Sequence, residues 1–378
     1  MSDDKARSTN SDSRREFLGK LGAALGGAAL VGGGAVIGRA QGVIPNGYQF
    51  YPILIANDNA PYPGGWAHNP VSELTAAVML GSAVATGKPG FNVIYFHGVT
   101  SSADAPHVPD QTTALFLAVM DYTQPKPTLT SLSILTFQGD TLTNIAGVPS
   151  NQLPLAVTRL GTGACNSLGH YATTIFSQST GNTVSIKNAP GVYLYDPQLN
   201  FWTKVARFGD PIQGGGAYGA DFGDVAIDDD DNVTIVAAKT NDKPPQSTTS
   251  QTSLSTTSQA SGQRNPQALG FAGAKALIHH PRDRSIMPFV LAQTGDMLPE
   301  TNAVIRDFGL IDVAQDGSFV AQVRAHRLDI RNARPGTAVI TGSVRQRRGP
   351  NGLEGLRLLA ASPRLLTLRQ RRQGIQLG

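Results

Sequence analysis

The chain is short of cysteine, of charge, of tryptophan and of any sustained helical pattern. Cys165 is the single cysteine in 378 residues. No disulfide can therefore close within one copy, and the residue reads as a small buried hydrophobe. Only 15% of residues are charged. No stretch after residue 40 repeats apolar residues at the 3.6-residue period, which argues against long helices. The Gly-x-Ser-x-Gly elbow of a Ser-His-Asp hydrolase is missing. "GTGACNSLG" (161–169) is glycine-rich but has neither the lysine nor the following helix of a phosphate-binding loop, and it reads as an irregular loop. The seven histidines, His68, His97, His107, His170, His279, His280 and His326, show no paired spacing suited to zinc. His279 and His280 are adjacent in a β-prone run, so their rings should point to opposite faces of a sheet.

Glycine (42) and proline (24) are plentiful, a composition that favours many short strands joined by turns. The N-terminus has a different character. Residues 1–20 are polar and end in "SRREFLGK", with Arg14 and Arg15 adjacent and Phe17 and Leu18 following. Residues 21–38 carry no charge, and Ala40 before Gln41 offers a cleavage point. The uncharged run is near the lower length limit for a membrane span and is built mainly of Gly and Ala, so no stable transmembrane anchor is expected. The stretch closely resembles a twin-arginine (Tat) export signal, although Gly19 intervenes before Lys20. The resemblance implies a signal peptide at 1–40, a bacterial source, and passage through the Tat translocase already folded. It further implies a destination in the periplasm, at the cell surface or outside the cell.

Charge is uneven. Residues 41–323 hold 13 Lys/Arg and 21 Asp/Glu, a balance of −8; residues 324–378 hold 12 Arg against Asp329 and Glu354, a balance of +10. An arginine-rich end suits anionic partners. In an exported protein, packing near its own acidic body is the favoured reading, and no nucleic-acid partner is expected.

An internal repeat organises the middle of the chain. Gly209–Asp210 matches Gly295–Asp296 at an offset of 86, and at the same offset Asp221–Phe222–Gly223 matches Asp307–Phe308–Gly309. Short β-prone runs lead into each Gly-Asp, where Gly supplies positive φ and Asp accepts backbone hydrogen bonds. Alternating strands follow on either side of a tight turn, "DDDDN" or "AQDGS". Gly139–Asp140 carries a weaker copy, and Asn57–Asp58 a weaker one still, which makes about four units of antiparallel strands. Residues 203–238 and 289–324 resemble bacterial tandem-repeat proteins whose units carry a Gly-Asp turn and an Asn-x-x-Gly-x-x-x-Phe hairpin. Asp228 and Ala314 stand where that family often has Asn. The resemblance implies an all-β, β-propeller-like array over about 45–345 and supplies no activity.

Residues 241–266 are almost all Ser, Thr, Gln, Pro and Gly, which predicts a disordered surface insertion. Residues 346–378 form an Arg-rich C-terminal segment that reads equally as a closing strand or a helix. Two places are candidates for ligands. Tyr62, Trp66 and His68 lie in a Pro/Gly loop, where aromatic rings either stack on a flat ligand or cover the core. In "IDDDDNV", Asp228, Asp230 and Asn232 alternate, and they either offer oxygens to a weakly bound Ca²⁺ or form a solvated turn. No other cofactor is expected. The recurring aspartates Asp140, Asp210 and Asp296 read as turn formers, since a residue repeated in every unit serves the unit. The leading functional expectation is a non-catalytic binding or surface-interaction module for an unknown ligand, carbohydrate or protein. The alternative is a lyase or hydrolase acting on a polysaccharide or another polymer in a propeller cleft.

Overall fold

β-Prone runs separated by Gly-Asp turns should stack as a series of small sheets, and the computed structural model contains four. The structure describes residues 54, 56, 62–63, 65–66, 68–75, 79–80, 90–101, 111–177, 189–240, 274–330, 334–345 and 355–366. All lie within one unit, Ile53–Gly378. The Tat-like stretch with Arg14, Arg15, Phe17, Leu18 and Ala40, residues 241–266 and most of the basic tail lie outside the described residues. Among those described, the one helical element is a 3-10 turn at Ser150–Gln152, and no helix is long and apolar enough to cross a membrane.

The first sheet runs β1 (Val71–Leu74), β3 (Phe91–Thr100), β4 (Thr113–Asp121) and β5 (Thr128–Phe137), with β2 (Met79–Leu80) also paired to β3. The second sheet contains β6 (Thr141–Leu142), β7 (Ile145–Ala146), β8 (Leu155–Cys165), β9 (Tyr171–Ser177), β10 (Gly191–Asp196) and β11 (Phe201–Arg207). β6 pairs with β8 and β7 with β11, so one short segment touches both edges and the sheet nearly closes like a barrel. The third sheet is β12 (Ala217–Ile227), β13 (Val233–Thr240), β14 (Lys275–His280) and β15 (Phe289–Gln293). The fourth is β16 (Ala303–Val313), β17 (Ser318–Arg327), β18 (Gly336–Ser343) and β19 (Arg357–Ala361). Part of the Arg-rich end is therefore a closing strand. Every pairing is antiparallel except that of β7 with β11.

The Gly-Asp dipeptides sit at the crossings between sheets. Gly139, Gly209 and Gly295 have φ of 98°, 84° and 94°, a conformation that a Cβ makes costly. Their N–H groups donate to Val157, Tyr218 and Ile305, which lie on the innermost strands β8, β12 and β16 of the next sheets. The same three residues donate back to the carbonyls of Asp140, Asp210 and Asp296. The Asp carboxylates close the turn: Asp210 accepts from the Arg207 N–H and Asp296 from the Gln293 N–H, both at 2.8 Å. Asp140 accepts from the Thr136 hydroxyl at 2.9 Å and also from the Thr141 N–H. The sequence repeat thus straddles two sheets, beginning on the outer strand of one and ending in the inner hairpin of the next.

Apolar residues from facing sheets form the core. Tyr95, Leu115, Leu155 and Tyr193 lie between the first and second sheets. Val205, Phe222, Val233 and Ile278 fill the space between the second and third. Leu277, Phe308, Phe319 and Ile340 pack the third against the fourth. The Asp-Phe-Gly motif belongs here. Phe222 and Phe308 are buried, and Lys275 reaches Asp307 at 3.1 Å and Asp221 at 3.6 Å.

One sequence expectation is corrected. Gly161–Cys165 is not part of an irregular loop; it is the end of strand β8. A Cβ on Gly163 would meet the Tyr171 ring at 2.4 Å, and one on Gly161 would meet Thr174 at 2.8 Å. These glycines let a bulged strand lie against bulky neighbours, so they mark close packing.

Candidate functional site

In the second, third and fourth sheets the innermost strand turns back through a tight hairpin, and these three turns touch. They span Asn166–His170, Asp228–Asn232 and Ala314–Ser318. Gly169, Asp231 and Gly317 occupy the same turn position, with φ of 84°, 63° and 78°. Asn166 donates through Nδ2 to the Asp228 carbonyl at 3.0 Å and to Asp231 Oδ1 at 2.8 Å. Ser167 N–H donates to Asp229 Oδ1 at 2.6 Å, and Gln315 Nε2 reaches the other oxygen of Asp229 from the fourth sheet. His170 Nδ1 lies 2.6 Å from Asp231 Oδ1, with Asp196 3.8 Å from its other nitrogen and Arg282 3.9 Å from Asp231. Hydrogen bonding to Asp231 raises the affinity of His170 for its proton. Burial alone would raise the Asp231 carboxyl, but His170, Asn166 and Arg282 together hold it below the usual carboxylate range.

The proposed calcium residues belong to the middle turn. Asp228 is buried, and its Oδ1 accepts the N–H groups of Asp230 and Asn232 at 3.0 and 2.9 Å. Its Oδ2 accepts from Asn232 Nδ2 at 2.8 Å, while the Asn232 side-chain oxygen accepts the Arg282 N–H. Asp230 is exposed. Burial raises the Asp228 carboxyl despite these bonds. Asn166 makes the equivalent turn without a charge, its Oδ1 accepting the Leu168 and His170 N–H groups. Among the described residues, no three His, Cys, Asp or Glu side chains gather to hold a metal ion.

Tyr62 and Trp66 bridge to one another and pack, partly buried, on the outer face of the first sheet against a cluster containing Phe96, Phe116, Met120 and Leu132. The Trp66 indole N–H donates to the Leu132 carbonyl at 2.9 Å. His68 is exposed beside them. These rings close the apolar face of the first sheet.

The remaining polar side chains with chemical potential are buried. His97 Nε2 lies 3.3 Å from the Tyr171 hydroxyl, and the Tyr95 hydroxyl donates to the Gly169 carbonyl at 2.7 Å. His279 and His280 point to opposite faces, as strand alternation requires. His279 contacts the Thr234 hydroxyl at 3.1 Å, and the His280 ring stacks on Tyr218 with centroids 5.7 Å apart. Burial pushes the two imidazoles down to about 4 and about 3. The Tyr218 hydroxyl and His280 Nε2 are buried with no hydrogen-bond partner among the described residues. Asp224 cross-links three inner strands, accepting from the Thr162 hydroxyl at 3.1 Å and the Ile311 N–H at 2.9 Å. The sequence singled out neither this aspartate nor the His170–Asp231 pair. The Asn166-x-x-Gly169 spelling was the available signal for the second turn.

No protein-family model matches the chain, and no curated protein matches it. Among solved structures, a polysaccharide lyase, an ulvan lyase with a bound saccharide, is similar with a TM-score of 0.32 and 8% identity. The match covers 77% of this chain and 61% of that one, so this chain spans less than two thirds of its length. No residue role is carried across at that distance.

Proposed function

We propose that the protein is an exported, non-catalytic binding module whose ligand is a surface carbohydrate or protein. The observation that carries this reading is the use made of the repeated polar residues: the Gly-Asp turn forms the same hydrogen bonds at Asp140, Asp210 and Asp296. Residues that recur for structure leave the unit free to vary at its surface. The twin-arginine spelling at Arg14 and Arg15 supports export, by the Tat translocase, to the periplasm or beyond.

The runner-up is a polymer-cleaving enzyme, and the Tyr218–His280 pair favours it. A buried hydroxyl and a buried ring nitrogen without partners among the described residues are the groups a general acid and base would present. Proton affinity weighs against that role. A general base works best with a pKa near the working pH, and His280 is pushed down to about 3. A buried water between the two groups satisfies them equally well.

Incubation of the mature chain with acidic and neutral polysaccharides tests the choice. Retention of polymer without new reducing ends or unsaturated uronate products is the expected result; release of either product replaces this reading with the enzymatic one. In cells, Arg14→Lys with Arg15→Lys should abolish export while leaving the cytoplasmic protein folded, and undiminished periplasmic yield would refute Tat delivery.

A further inference from the structure

Each sheet of the array buries one face on its neighbour, and the fourth sheet has a face with no described sheet beyond it. The repeat compares this face with its counterpart residue by residue. On the third sheet, Thr234, Val236 and Ala238 are 1–2% exposed beneath the fourth. At the offset of 86 their equivalents on β17 are Val320, Gln322 and Arg324, all exposed. Arg324 lies in register between Thr337 on β18 and Asp307 on β16, the latter already paired with Lys275, and Val320 lies between Thr341 and Asp312; Arg357 on β19 is opposite Thr341. Arg306 reaches the same face through His326, its guanidinium bonding the ring at 2.6 and 2.9 Å. No ion pair forms at Arg324 or Arg357 among the described residues.

We propose that the outer face of the fourth sheet docks an acidic polysaccharide, carboxylated or sulfated. The proposal rests on the reading of the protein as a binding module and specifies its ligand. Guanidinium forks match carboxylate and sulfate oxygens, and a cation with no ion pair among the described residues offers its fork to a ligand without breaking one of them. Arg324 and Arg357 are separated by four residues along the strands and two strand spacings across them, a diagonal of roughly 16 Å. That span suits an extended polyanion better than a small anion. Among the described residues the face carries no exposed Phe, Tyr or Trp, since Phe308 and Phe319 of this sheet are both buried and the His326 ring is taken up by Arg306. Single-stranded nucleic acids are held largely by stacking on such rings, so a polysaccharide is the better fit.

The test uses the full mature chain on immobilised heparin, polygalacturonate and neutral dextran, with cleavage products measured in the same samples. Retention on one or both acidic polymers, weakening steeply with salt, and none on dextran is expected. Arg324→Gln with Arg357→Gln should weaken retention about tenfold, two modest exposed ion pairs being lost together, while the melting temperature stays unchanged. Undiminished retention by that variant overturns the assignment to this face. Equal retention on dextran overturns the polyanion, and stronger competition by DNA than by either acidic polymer at the same salt replaces the polysaccharide with nucleic acid. Polymer cleavage would refute the binding-module reading itself, whereas absence of both cleavage and retention on acidic polymers removes only this inference.

Discussion

Asp296→Ala separates a structural aspartate from a ligand-contacting one. The side chain is 9% exposed, and its carboxylate accepts the Gln293 N–H at 2.8 Å inside the turn that joins the third sheet to the fourth. A hydrogen bond to an ionised group contributes about 1.5–3 kcal/mol, and the orphaned N–H adds to the loss if water cannot reach it. A destabilisation of about 2 kcal/mol is therefore expected. In a domain of this size that lowers the melting temperature by roughly 5 °C. Asp296→Asn keeps an acceptor oxygen and should lose less than half as much. Gly295→Ala isolates the backbone contribution, because an added Cβ finds nothing within 4 Å and only the φ of 94° opposes it; about 1–2 kcal/mol is expected. Thermal and urea unfolding followed by circular dichroism, at this turn and at Gly209–Asp210, measures all of these. An Asp296→Ala protein with unchanged stability but lost ligand retention would refute the reasoning and place the repeated aspartates in the binding site.

The His170–Asp231 pair should leave a pH signature. His170 is raised from 6.5 and Asp231 lowered from 3.8. The imidazolium's contribution is complete below pH 6.5 and lost as pH rises through the higher folded value; the carboxylate's is present above 3.8 and lost as pH falls through the lower folded value. The melting-temperature gap between the parent and His170→Gln should be widest between those limits and shrink as pH rises through the raised His170 value, and a flat gap would mean the pair is not charged, with Asp196 and Arg282 cancelling it. Asp228→Asn copies the uncharged turn of Asn166 and should change stability by no more than about 1 kcal/mol. Calcium at Asp228, Asp230 and Asn232 must displace hydrogen bonds to Asp228, so calorimetry should give binding no tighter than about millimolar; micromolar affinity abolished in Asp228→Asn/Asp230→Asn would show a built site.

The parts legible in the sequence were those encoded locally or repeated. Gly-Asp announces its turn through positive φ and a short acceptor side chain, and the offset of 86 aligns the Phe222 and Phe308 core positions directly. Strand alternation was enough to send His279 and His280 to opposite faces. What stayed hidden depends on which turns meet. His170 and Asp231 are 61 residues apart in the chain and touch because two hairpins of neighbouring sheets lie side by side. Gly161 and Gly163 looked like loop residues because glycine is scarce in strands, and only the position of Tyr171 reveals why glycine is needed there.

The two ends of the array have unequal chemistry. The outer face of the first sheet is apolar, with Phe96, Phe116 and Met120 pointing outward, and it is covered by Tyr62 and Trp66 of the preceding loop. The fourth sheet meets the same problem by substitution, placing Gln322 and Arg324 where the third sheet buries Val236 and Ala238. A repeat array needs terminal units whose outer faces tolerate water. Capping alone, however, asks only for polarity, and a mixture of both charges with neutral side chains serves it. The fourth sheet's face carries Arg306, Arg324 and Arg357 against Asp307 and Asp312, and Asp307 is already paired with Lys275. That surplus of positive charge is what the proposed docking of an anionic polymer rests on, and the Arg324→Gln/Arg357→Gln variant tests whether it serves more than capping.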